Sequence, residues 1–169
     1  MKPTKFSKKI KYPIPTSYQL TQLLKEAGAA FVLAITNPVE NVDKYETQRS
    51  KALNLGVYGA DLSYASTYNK KDETRKLLQA SKELIDGLEV SSVFTKKMAN
   101  RIEENIENKD SLIAIITQSF LDTHEQLNQN GQDRMALLVV AGSWIEGLYI
   151  SSNLAISSNY DKKIMYIIG

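Results

Sequence analysis

The chain has 169 residues, enough for one domain with a buried core, and its 43% apolar and 24% charged content argues against general disorder. The net charge of +2 conceals a division: residues 1–15 carry five lysines and no acid, whereas residues 16–169 carry 16 basic and 19 acidic residues. The body is therefore mildly acidic with only four arginines and no basic face for nucleic acid, and the absence of cysteine excludes disulfides, thiolate metal sites and cysteine nucleophiles.

Residues 1–15, MKPTKFSKKIKYPIP, are lysine-rich and proline-dotted and lack the apolar run of a signal peptide. They read as a flexible basic tether ahead of one helical domain at 16–169. Thr16 and Gln19 have capping-box spacing, and Leu20, Leu23, Leu24, Ala27, Phe31 and Ile35 then recur at helical spacing up to a stop at Asn37-Pro38. A turn over 39–43 leads to a second predicted helix at 43–68. The NKKD break follows, with Asp72 as N-cap of a third helix running to Gly87.

LEVSSV links to an acidic helix from about Thr95, with Met98, Ile102 and Ile106 on one face. Its Glu103, Glu104 and Glu107 read as a solvated face balanced by Lys96 and Lys97. Residues 108–110 interrupt it. The next helix carries Ile113, Ile116, Phe120 and Leu127 and ends at Gln129-Asn130-Gly131. A long helix spans 133–157, and a final segment starts at Asp161 and is expected to continue past residue 169. No period-2 stretch of useful length is present, so the fold expected is an all-α antiparallel bundle of five to seven helices. Residues 135–156 are long and apolar enough to span a membrane, but they contain Glu146, Asn153 and several serines and lack basic or aromatic anchors at the ends. They read as a central helix surrounded by others.

LGVYGADLSYA, residues 55–65, places Gly56, Gly59 and Asp61 inside a helix, where each costs stability relative to alanine. A faint echo of it occurs at AGSWIEGLYISSNLAISSNYDKK: a glycine, an aromatic two residues on, an acid, then a Ser/Tyr-rich helix closing on Lys-Lys. The glycines suggest that helix 43–68 approaches another closely, with Gly56 and Gly59 against Gly142 and Gly147. Asp61 and Glu146 would then face one pocket lined by Tyr58, Tyr64, Tyr68 and Tyr149 and roofed by Trp144. Two readings stand side by side. One is a ligand pocket or an acid/base pair of carboxylates; the other is a buried acid, satisfied by tyrosine hydroxyls, that fixes helix register.

Other chemistry finds little footing. A carboxylate-bridged di-iron site wants two Glu-x-x-His pairs, and the lone His124 is preceded at i−3 by Leu121, so His124 reads as a surface or core-edge residue bordering the apolar face beside Phe120 and Leu127. Neither a nucleophile elbow nor a phosphate loop is present. The expectation is no catalytic residue, no metal and no cofactor.

YPIPTSYQL, NPVENVDKY, ALNLGVYGADLSYA, NKDSL and AGSWIEGLY together resemble a family of uncharacterised all-helical bacterial proteins, often predicted as exported lipoproteins of gut-type Gram-negative anaerobes. The resemblance covers nearly all of 12–169. It implies an all-helical domain, an extracytoplasmic location (periplasmic or outer-membrane-attached) and a longer natural chain. Membrane attachment would come only through an N-terminal lipid anchor, and the chain itself has no cysteine to carry one. The resulting expectation is a non-enzymatic binding or interaction domain with a protein or small-molecule partner and no nucleic acid. The alternatives are a ligand sensor with a tyrosine/carboxylate pocket and a carboxylate-dependent hydrolase.

Overall fold

A computed structural model describes residues 16–88 and 92–168; the expected tether at 1–15 and residues 89–91 of the LEVSSV link lie outside them. The described residues form seven α-helices and no strand: α1 (Ser17–Glu26), α2 (Gln48–Thr67), α3 (Lys71–Asp86), α4 (Ser92–Glu104), α5 (Lys109–Gln129), α6 (Asp133–Ser157) and α7 (Lys162–Ile168). The chain is thus an all-α bundle, and each boundary follows from local chemistry.

At the start of α1 the capping box is complete: Thr16 Oγ1 accepts from the Gln19 N–H at 3.2 Å, and Gln19 Oε1 accepts from the Thr16 N–H at 2.9 Å. The helix ends ten residues later, well short of Ile35. Gly28 takes φ +98°, and the Ala29 N–H turns back to the Leu24 carbonyl at 3.0 Å, closing the last turn. Phe31 and Ile35 still pack inward, but from an irregular strap over residues 29–45 that contains two short 3₁₀ turns, Leu33–Ile35 and Val39–Lys44. Helical spacing there reflected burial without helix.

Likewise α2 starts later than expected, because Thr47 caps it by accepting from the Ser50 N–H at 3.1 Å. Asp72 is not the cap of α3. The closing turn of α2 extends through Asn69 (φ 56°) to Lys70, whose N–H bonds Ala65 O at 2.9 Å, and α3 begins at the next residue with Asp72 already in its first turn. Asn108 caps α5 through its side chain, accepting from the Ser111 N–H at 3.1 Å, so the interruption at 108–110 is a capping device. Gly131 at φ +72° ends α5, and α6 has the predicted bounds. On α4, Glu103 pairs with Arg75 at 3.0 Å, and Glu107 just beyond the helix pairs with Lys71; the acidic face is balanced by α3, not by Lys96 and Lys97.

The central helix is α2, where every residue from Tyr58 to Thr67 is buried. This corrects the expectation for α6, which buries Ala136, Val139, Gly142, Glu146, Ile150 and Leu154 but exposes Leu137, Ile145, Leu148 and Ile156 on its other side. The difference is size. Gly, Ala and Ser on α2 let neighbours close in from all directions, whereas large residues ring α6 and the described chain covers one side.

The α2/α6 contact is the most extensive among the described elements. A Cβ on Gly56 would overlap the Val139 carbonyl and approach the Ser143 amide, and a Cβ on Gly142 would overlap the Leu53 carbonyl. Each glycine thus receives the other helix's backbone directly. Further along, Asp61 meets Glu146 and Tyr64 joins a cluster with Ile150 and Leu154. The contacts advance together along both helices, so this pair runs parallel. The other two glycines face elsewhere: Gly59 receives the Phe120 ring of α5, and Gly147 lies against Ser17 of α1. In the two echoing segments, equivalent glycines clasp one another, the acids meet, and both helices end in left-handed turns, at Asn69 and at Asn159-Tyr160.

Candidate functional site

Asp61 and Glu146 do converge, and they are sealed: Asp61 is 0% exposed and Glu146 8%. Asp61 Oδ2 accepts from the Asn37 N–H at 2.9 Å, while Oδ1 is buried with no hydrogen-bond partner. Burial pushes both carboxyls up from their ordinary range, and for Asp61 the adjacent Glu146 pushes further in the same direction. Two neighbouring carboxylates cannot both hold charge in such a place, so at least one of the pair carries a proton in the folded chain. The result is a carboxyl–carboxylate clasp between α2 and α6.

Tyr58 and Tyr64 of α2 and Tyr68 at its C-cap do not line an opening beside this pair. Each spends its hydroxyl on the backbone of the 29–45 strap. Tyr58 donates to Pro38 O at 2.9 Å, Tyr68 donates to Ala29 O at 2.7 Å, and Tyr64 accepts from the Val32 N–H at 2.8 Å. Phe31 stacks on Tyr64 with centroids 4.8 Å apart, and Asn37 Nδ2 donates to Tyr45 Oη at 2.8 Å. Burial raises the phenols of Tyr58, Tyr64 and Tyr68, so all three stay protonated. The strap needs these bonds because an irregular segment has few internal partners for its N–H and C=O groups. It lies over the acid pair and shuts it off.

Trp144 and Tyr149 fall away from the acid pair as well. They are 40% and 49% exposed, because they project from the outer side of α6 while Glu146 projects inward. The expected pocket of Tyr58, Asp61, Tyr64, Tyr68, Trp144, Glu146 and Tyr149 therefore separates into a strap fastening, a buried clasp and a surface.

An opening exists elsewhere. A cleft of about 400 Å³ lies between α1, α2, α5 and α6, in the size range of small-molecule sites. Its floor is Gly59 and Ser63 of α2, and its walls are Phe120 and Leu121 of α5 and Val139, Val140 and Trp144 of α6. Ser17 and Ser143 form a polar point at one wall, Oγ to Oγ 3.2 Å; His124 stands at another, within 3.2 Å of Asn128 Nδ2. Neither Asp61 nor Glu146 lines it. Of the residues singled out in sequence, Gly59 and Trp144 belong to this cleft, and His124, read as surface or core-edge, borders it. Ser63 and Phe120 are members that sequence reasoning did not assign to a site. The available signal was a line of small residues at four-residue spacing, Gly59 and Ser63, which leaves room beside a large neighbour.

Among the described residues no group of three or more His, Asp or Glu could hold a metal ion. Comparison with family models, curated proteins and solved structures finds no match, so the function must be argued from this geometry.

Proposed function

We propose that the chain is a non-enzymatic helical binding domain whose site is the α1/α2/α5/α6 cleft, and that its ligand is a small, mostly apolar molecule carrying one hydroxyl or carbonyl group. The observation that carries this reading is the cleft itself. Its walls are apolar, its floor is made by a glycine and a serine, and its one serine pair is placed to orient a polar group. Keeping 400 Å³ open at the meeting of four helices forgoes packing that larger side chains would supply. The acid pair gives weaker support to a sensor or a hydrolase, since a substrate would have to displace the strap to reach it. An extracytoplasmic setting belongs to the same proposal and rests on the family resemblance alone.

Trp144 is the single tryptophan and borders the cleft, so its emission reports occupancy. Titration with 1-octanol, and separately with 1-decanol, is expected to change Trp144 emission saturably and to raise the melting temperature. Thr117→Phe, which fills the cleft from α5, is expected to abolish both effects while the circular dichroism stays helical. Unchanged binding to the filled variant would refute the assignment.

A further inference from the structure

The exposed side of α6 reads nearly the same in both directions. About a centre between Glu146 and Gly147, Ile145 corresponds to Leu148, Trp144 to Tyr149, Ala141 to Ser152 and Leu137 to Ile156: aliphatic to aliphatic, aromatic to aromatic, small to small. All eight residues are exposed. We propose that this face binds a second copy of the chain, with the two α6 helices antiparallel across a two-fold axis passing between Glu146 and Gly147.

Three observations fit that occupant. A two-fold interface is self-complementary, so a residue at one distance from the axis meets its partner at the same distance on the other side. The pattern on α6 supplies four matched pairs of contacts, Ala141 opposite Ser152 among them; the exposed Val140, which falls opposite Asn153, is the one position that breaks the match. Second, the large side chains are 40% to 65% exposed, leaving on the order of 700 Å² open, above the largest patch of an ordinary monomer and near what each partner gives to a stable interface. Third, Glu146 is the one charged residue between 135 and 156, and it points inward, so pairing buries no charge. This dimer stands apart from the ligand reading. Trp144 borders both the face and the cleft and is left unchanged in the variants below.

The test uses the full chain. Sedimentation at about 100 µM, where even a weak interface populates its complex, is expected to give a dimer. Because the chain has no cysteine, mixing Leu137→Cys with Ile156→Cys chains and oxidising them is expected to cross-link unlike chains in preference to like ones. Ile145→Lys and Leu148→Glu should each weaken the dimer by at least about tenfold. The double variant sets lysine against glutamate at both symmetric contacts and should recover much of that loss. These positions are exposed, and unchanged circular dichroism would check that the fold persists. A monomer at that concentration, a predominance of 137–137 cross-links, or a monomer that floats with phosphatidylcholine vesicles would each overturn the proposal.

Discussion

At the residue scale the Asp61–Glu146 clasp has a definite pH signature. Both carboxyls titrate above their ordinary range in the folded chain, so the folded state holds protons that the unfolded chain releases. Stability from these groups is fully present below the ordinary carboxyl range and is lost as pH rises through their raised folded values. Asp61→Asn keeps an acceptor for the Asn37 N–H and gives Glu146 a permanent donor. Thermal melts from pH 4 to 8 should therefore fall more steeply for the native chain than for this variant. At pH 8 the variant should be the more stable, by about 1–3 kcal/mol; a variant less stable throughout would show that the carboxyl–carboxylate arrangement itself is preferred. Glycine substitutions separate in the same way. Alanine at Gly56 or Gly142 meets the backbone of the facing helix, whereas at Gly59 it meets the far end of the Phe120 ring, which can turn aside. Gly56→Ala and Gly142→Ala should each cost about 3 kcal/mol or more, lowering the melting point by roughly 6–12 °C. Gly59→Ala should cost clearly less. Equal losses at all three would contradict the packing described.

At the scale of elements, the strap over residues 29–45 is where pattern and structure part. Periodicity located α5, α6 and the body of α2, because a helix held between neighbours must show its apolar residues at helical spacing. Phe31 and Ile35 kept that spacing while the chain left the helix at Gly28. What holds the segment is three tyrosine hydroxyls and the Asp61 carboxyl reaching its backbone from α2 and its C-cap, and nothing local encodes such long-range bonds. The approach of Gly56 to α6 was legible, since a glycine inside a helix has few other uses. The partner of Gly59 and the outward direction of Trp144 were not, because both depend on how far α6 rotates about its axis. Tyr64→Phe tests the strap directly. It strands the Val32 N–H, should cost about 1–2 kcal/mol, and should speed hydrogen exchange at Val32 while α5 amides keep their protection. Unchanged exchange at Val32 would mean the strap is held some other way.

At the scale of the whole molecule, the polar chemistry and the open space lie in different places. The acids are sealed between α2 and α6 beneath the strap, and the cleft opens between α1 and α5 with hydroxyls, a histidine and aromatic rings around it. This separation assigns binding to the cleft and a structural task to the clasp. The most direct test is isothermal titration calorimetry of 1-octanol into the native chain, the Asp61→Asn chain and the Thr117→Phe chain. A cleft site predicts that Asp61→Asn binds as the native chain does and that Thr117→Phe shows no heat. Loss of binding in Asp61→Asn, with binding retained in Thr117→Phe, would contradict it.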